Sequence, residues 1–518
     1  MRYKELQKLF LNYEDADFIC NGFKEGFELG YEGELGELRS RNSLSVSANA
    51  DIAFGKIKEE ISLGRIEGPF DDPPFVNFKC CPLALREKST KGKYRLLHNL
   101  SFPYDKSSVN LNIPDSKAKV KYATLLDAFD IIYPLNDCFL AKSDIKDAFR
   151  IVPLNPNQYN LTGFKLNGKF YYDKCLPMGA RSACQIFERF STGLKHILIT
   201  VYKVPHVIKV LDDFLFVGKS SEECRYGLEC FKHLCNKTGV PLAEHKTVGP
   251  TTALSFLGIE IDTSSQTASI PVDKLKNYAK EVSSLLTVTT CTYRQLKSIL
   301  GKLQFACTII PSGRCFLRRL HDLTIGKSNP NSQVGIPTWA REDLIYWKAF
   351  LDLYNGRNLY HFLWGGTSED LHFFTDSSKS GYGGTFGSHF IQGVFPPDWS
   401  LANIAVLELY PIFALVHIFG PQLANSQVIF HSDNEAVVFI LNNKTSKDPM
   451  IMKLLRPLVL VLMKQNIIFR SLHIPGVKNI VSDHLSRYQA DASFLRRHAL
   501  DASPTPVPAT ICPNNWKP

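Results

Sequence analysis

Long apolar runs are missing from this chain. Its most apolar stretches, such as LLRPLVLVLM at 454–463, are interrupted or too short for a spanning helix of roughly 20 residues. The opening MRYKELQKLFLNYEDADF is charged and lacks a signal-peptide core. Both absences lead us to expect an intracellular protein, nuclear or cytoplasmic, with no membrane partner. Cysteine is present but unpatterned. The 13 residues are odd in number, and neither Cys80-Cys81 nor Cys224, Cys230 and Cys235 show a recognisable zinc spacing. A complete secreted disulfide set is therefore disfavoured, and buried free thiols are expected. No internal repeat is strong enough to suggest a solenoid.

What the chain does have is length and a modest positive charge. Its 518 residues can form several cores. Sixty Lys and Arg against 50 Asp and Glu give +10, which suits a polyanionic partner without requiring one. Residues 1–45 are rich in Gly and Glu and read as a flexible lead-in or a small accessory element. KCCPLALREKSTKGKYRLLHNL predicts two strands flanking a basic turn, and CFLAKSDI a strand ending at Asp144. LTGFKL and KFYYDKCL predict a hairpin around Asn167-Gly168, and SACQIFERFSTGLKHILI a helix. VIKVLDDFLFVG predicts an antiparallel hairpin around Asp212-Asp213. From 263 to 330 the pattern is helical and basic, ending in GRCFLRRLHDLTI. A second compact unit opens with LHFFTDSSKSGYGGTFG, continues through strands and helices, and ends in the Pro-rich tail ASPTPVPATICPNNWKP, which predicts little regular structure.

The chemistry sits in two sets of acids. Asp144 ends an apolar strand, and Asp212-Asp213 interrupt an apolar hairpin. Unpaired carboxylates in such places need a rim, a basic partner or a metal. If the strands are neighbours, Asp144 and Asp212 can converge on two Mg²⁺ ions, suited to activating a primer 3′-hydroxyl and stabilising a pyrophosphate. An isolated DD pair is more often structural. Here, however, KSDIKDAF, LPMGARSACQIF, VLDDFLFVG and FLGIEI follow in order. Over roughly 50–262 this series resembles the palm of a reverse transcriptase.

The resemblance implies Asp144, Asp212 and Asp213 as metal-binding acids. It places Phe149 under the incoming sugar, where it would exclude a 2′-hydroxyl. It puts Lys88 and Arg95 toward the triphosphate and Met178 and Gly179 beside nucleotide and template. Lys246 is implied near the phosphates, and Phe256, Leu257 and Gly258 at the primer terminus. Val210 and Cys184 depart from the family pattern, Cys184 replacing a common proline, but neither removes a metal ligand.

The second set is Asp376, Glu408, Asp433 and Asp483, carried by FFTDSSKSGYGG, VLELYPIFAL, VIFHSDN and HIPGVKNIVSDHLSR. Four carboxylates around two Mg²⁺ ions could activate water for RNA cleavage. Over roughly 369–490 the order resembles the ribonuclease H domain of retroelements. That resemblance implies His473 as a proton-handling residue and Asn479 as a loop organiser that contacts nucleic acid. Lys274, Lys276, Lys280, Arg294, Lys297, Lys302, Arg314, Arg318 and Arg319 between the two regions could steer a duplex.

The expected fold is multidomain, α+β and α/β: an accessory segment (1–45), right-hand polymerase fingers and palm (46–262), a helical thumb or connection (263–368), a ribonuclease H-like domain (369–490) and a tail (491–518). The expected enzyme uses an RNA template, a DNA primer and dNTPs, and cleaves RNA–DNA hybrid, with two Mg²⁺ ions per centre that Mn²⁺ could replace. The alternative is an inactive or domesticated nucleic-acid-binding scaffold. GRIEGPFDDPPF, LPMGARSACQIF and HIPGVKNIVSDHLSR look nearest to retrotransposons that pair this enzyme with a tyrosine recombinase, which would be encoded separately.

Overall fold

A computed structural model describes residues 1–515 except 11, 88–91, 106, 136, 354–356, 359–370, 425 and 466. The chain divides into two compact units: residues 1–257 with 261–266, and residues 258–260 with 267–518.

At the heart of the first unit is a four-stranded antiparallel sheet. Apolar residues dominate Phe139–Asp144, Val207–Val210 and Asp213–Gly218, as expected for strands covered on both faces. Strand Asp213–Gly218 lies between the other two, so that Asp213 sits directly across from Asp144. Helix Ala183–Thr200 buries Phe187, Phe190 and Leu194, and helix Ser221–Thr238 buries Phe231 and Leu234 in the same core. The second helix starts with the Ser220 hydroxyl accepting from Glu223 N and ends at Gly239 in the left-handed conformation, both ordinary caps. The expected fingers hairpin is present as Leu83–Glu87 paired with Tyr94–His98, and a second hairpin turns at Asn167-Gly168, both with positive φ.

The first 30 residues are more than an accessory. Helices Tyr3–Leu9 and Ala16–Glu25 deliver Leu6, Ile19 and Phe23 into the palm core, followed by Phe27 and Leu29. Phe27 meets Phe23 edge-on, and Phe23 meets Phe190 the same way. The Gly and Glu content of this segment concealed five well-spaced apolar anchors.

In the second unit, helices Val272–Leu286 and Tyr293–Ala306 form where expected, the latter opened by a Thr292/Gln295 capping box. GRCFLRRLHDLTI does not continue as a long helix. It forms a 3₁₀ segment, Pro311–Phe316, and a five-residue helix, Arg318–Asp322, docked by Gly313 against Trp347. Farther along lies a mixed five-stranded sheet ordered His389–Val394, Gly381–Phe386, His372–Ser377, Gln427–Ser432, Ile468–His473. The first three strands are antiparallel, and the last two join in parallel. Helix Ile404–Phe419 is almost wholly buried. With the turn that follows, residues 404–423 are long and apolar enough to cross a membrane, contrary to the sequence expectation, but 78% of the apolar window is covered by the unit itself.

The Pro-rich tail is ordered through packing. Thr505 N donates to Phe390 O, and Tyr410 Oη donates to Ile511 O at 3.0 Å. All 13 cysteines are free thiols, ten of them buried, as their scattered spacing implied.

Candidate active sites

Asp144 closes its strand at 7% exposure, and Asp212 and Asp213 lie half-buried at the tip of the hairpin. The two-residue link from Val210 to Asp213 turns through Leu211 at φ 52°, a left-handed position that is strained for leucine. The turn is held from below. Leu211 N donates to Glu188 Oε2 at 3.0 Å, and Glu188 is itself paired with buried Lys209 at 2.6 Å. Burial pulls the Lys209 ammonium down to about 8, against the opposing pull of Glu188. Sequence reading missed both residues. Their signal was a lysine inside the apolar strand VIKV and a glutamate beside two buried phenylalanines in ACQIFERF.

The three acids repel one another. Burial, a hydrogen bond with Asp144 and the charge of Asp212 together push Asp213 up to about 7. Burial and then Asp144 raise Asp212 as well. Cations answer them: Lys246 Nζ donates to Asp144 Oδ2 at 2.8 Å, a hydrogen bond that raises the lysine in turn, and the charges of Lys246 and then Arg95 pull Asp212 back down. A cavity of about 830 Å³ opens over this set, lined among others by Arg95, Asp144, Phe149, Met178, Asp212 and Lys246. Six residues singled out from five separate segments therefore share one chamber.

Other expected residues are placed differently. Gly179 lies so close to the fingers strand that a Cβ there would meet His98 O at 1.8 Å, so its role is close approach. Phe256, expected at the primer terminus, is 2% exposed and packs in the core. Leu257 and Gly258 both take left-handed backbone. Lys88 lies outside the described residues.

In the second unit, carboxylate oxygens of Asp376, Glu408 and Asp433 all lie within 4.8 Å of one another. Asp376 and Asp433 come from the ends of adjacent parallel strands, and Glu408 from the buried helix that crosses them. Burial, then Asp376 and Asp433, push Glu408 up to about 9, and its Oε2 is buried with no hydrogen-bond partner. Burial also raises Asp376, although Ser486 Oγ donates to it at 2.6 Å. An orphaned, buried carboxylate oxygen in a cluster of three carboxylates is what a divalent cation fits.

Asp483 lies outside this trio, although its charge also raises Asp376. Arg487 Nε donates to its Oδ1 at 2.7 Å. His473 is exposed at the end of its strand, where the loop to Asn479 begins. That loop passes over the acids, since a Cβ on Gly476 would lie 3.2 Å from Asp433 Oδ2. Asn479, expected also to touch nucleic acid, is 3% exposed and donates to Thr375 O at 2.8 Å. It fastens the loop to the strand just before Asp376. Several of the basic residues at 274–319 are also engaged internally: Lys302 pairs with Glu281, Arg318 with Asp322, and Arg319 with fully buried Asp343.

Residues 88–261 match the reverse transcriptase (RNA-dependent DNA polymerase) family. The matched segment contains the whole first acid set and most of the residues lining the chamber above it. The chain is 25% identical over 292 residues to the Gag-Pro-Pol polyprotein of Simian retrovirus SRV-2, covering 53% of this chain and 14% of that protein. It is 28% identical over 188 residues to the Pro-Pol polyprotein of Feline foamy virus, covering 36% and 15%. The chain thus spans about a seventh of these relatives. Among solved structures, a foamy viral protease-reverse transcriptase in complex with RNA/DNA hybrid is similar at TM-score 0.48 and 13% identity, over 91% of this chain and 62% of that one.

Proposed function

We propose that the chain is an RNA-directed DNA polymerase with a second, hybrid-specific ribonuclease centre, acting in the replication of a retroelement. The reading is carried by the shared chamber, where Asp144 and Asp212 meet Arg95, Phe149, Met178 and Lys246 inside a segment that matches the reverse-transcriptase family. Asp144 and Asp212, with Asp213 beside them, would hold Mg²⁺ or Mn²⁺. Arg95 would hold the triphosphate, Met178 would border the base, and Phe149 would press on the sugar. Lys246 would offset phosphate charge. In the second centre Asp376, Glu408 and Asp433 would hold the ions, with Asp483 and His473 at the rim. When bound, such ions lower the pKa of an attacking hydroxyl or water and offset charge on the departing oxygen.

RNA template, DNA primer and RNA–DNA hybrid are the partners this chemistry requires. The narrower assignment to tyrosine-recombinase retrotransposons, with a recombinase supplied separately, is supported by motif style alone.

The test is extension of a labelled primer on an RNA template, with both strands followed in one reaction. Asp212→Asn is expected to lower extension by more than about 100-fold while leaving cleavage, because losing even an outer-shell partner costs a metal site 10- to 100-fold. Asp433→Asn is expected to do the reverse. A wild-type protein that binds primed template yet neither extends nor cleaves under any divalent ion would establish the scaffold alternative.

A further inference from the structure

Beneath the polymerase chamber runs a chain of buried charges that none of the proposed catalytic roles uses. Arg150, next to Phe149, is 13% exposed and donates in three directions. Nε reaches Glu60 Oε2 at 2.9 Å, Nη2 reaches Asp173 Oδ1 at 2.7 Å, and Nη1 reaches Cys175 O at 3.4 Å. The other oxygen of Asp173 takes His98 Nδ1 at 2.9 Å, while His98 Nε2 faces Gly163 O at 3.2 Å. On the opposite side Arg65 bonds Asp147 through both terminal nitrogens at 3.1 Å and approaches Glu60 at 3.5 Å.

These groups come from separate pieces of the unit. Glu60 is on helix Ala50–Ser62, and His98 ends the fingers strand that also carries Arg95. Asp173 ends strand Lys169–Asp173, and Arg150 lies in the 3₁₀ turn Ala148–Ile151 that carries Phe149. Glu60, His98, Asp147, Arg150 and Asp173 all line the 830 Å³ chamber. Burying so many charges is a poor way to gain stability, because desolvation offsets much of the attraction, and apolar residues of equal volume often do as well. What the chain does supply is fixed geometry: a planar guanidinium with three acceptors has one orientation.

We propose that the Glu60–Arg150–Asp173–His98 chain is a positioning device that sets the distance between Arg95 and Phe149, and with it the discrimination between deoxy- and ribonucleotides. The inference rests on the polymerase reading. Arg95 fixes one end of the incoming nucleotide and Phe149 the other, so a shift of either strand or turn changes the gap in which a 2′-hydroxyl must fit. Displacements near 1 Å alter turnover by as much as 10²-fold.

The experiment uses the full chain and measures kcat and KM for single dNTP and rNTP additions. Asp173→Asn and Arg150→Lys are compared with wild type, with Phe149→Val, and with the double variant Asp173→Asn/Phe149→Val. We expect Asp173→Asn and Arg150→Lys each to lower dNTP-over-rNTP selectivity by about 10- to 100-fold, chiefly through dNTP KM. We expect no further fall when Asp173→Asn is added to Phe149→Val, because the two act through one contact. Intact selectivity with reduced kcat, or a double variant whose losses multiply, would overturn the proposal. If Asp173→Asn does not fold, as judged by thermal melting, His98→Leu removes only the outer contact, and unchanged selectivity there overturns it equally. A wild-type protein that adds no dNTP would sink the polymerase reading instead.

Discussion

Glu408 is the residue whose behaviour follows most directly from its surroundings. Its carboxyl is pushed from an ordinary value of 4.5 to about 9 by burial and by Asp376 and Asp433. A carboxyl raised in the folded state favours folding while it is protonated. That contribution is complete below pH 4.5 and is lost as pH rises through about 9. Metal-free protein should therefore melt at progressively lower temperature across this window, and Mg²⁺ should recover more at the alkaline end than at the acid end. Calorimetry with and without the ion checks both statements. Glu408→Gln should flatten the profile and weaken the metal effect while abolishing cleavage. A variant as pH-sensitive as wild type would shift the cause to Asp376.

Among the elements, the hairpin that carries Asp212 and Asp213 depends on groups outside it. Leu211 keeps its left-handed backbone because Glu188 receives its N–H, and Glu188 is paired with Lys209. Glu188→Ala leaves a buried lysine without its partner, and a loss of about 3–5 kcal/mol is expected in urea unfolding. Extension should fall at the same time, because the acids lose their support. The Arg319–Asp343–Arg456 cluster in the second unit makes a parallel case: Asp343 is fully buried between two guanidinium groups, and Asp343→Ala is expected to lose about 3–5 kcal/mol as well. Such supports explain what could be read from sequence and what could not. Continuous apolar runs located the strands ending at Asp144 and carrying Asp213, and the acids inside them marked the first site. The partners were illegible. Glu188 lies 23 residues from Leu211, and Ser486 lies 110 from Asp376. Nothing local to either residue records the pairing. GRCFLRRLHDLTI read as helical because Leu and Arg favour helix, and it forms only a 3₁₀ segment and a five-residue helix, with Gly313 packed on Trp347 and Arg319 paired with Asp343.

On the scale of the whole molecule, both ends of the chain are built in. The N-terminal helices fill the palm core with Leu6, Ile19 and Phe23, which composition alone hid behind Gly and Glu. Removing residues 1–30 should leave the first unit prone to aggregate, since that core would open to water; light scattering during refolding measures it. At the other end, the tail folds back on the ribonuclease-like unit through Thr505 and Ile511. Tyr410, which holds Ile511, stands two residues from Glu408 on a single rigid helix. The tail is thus anchored on the same helix that carries Glu408. Tyr410→Phe, which removes that anchor, should let a protease clip after residue 498 faster than in wild type.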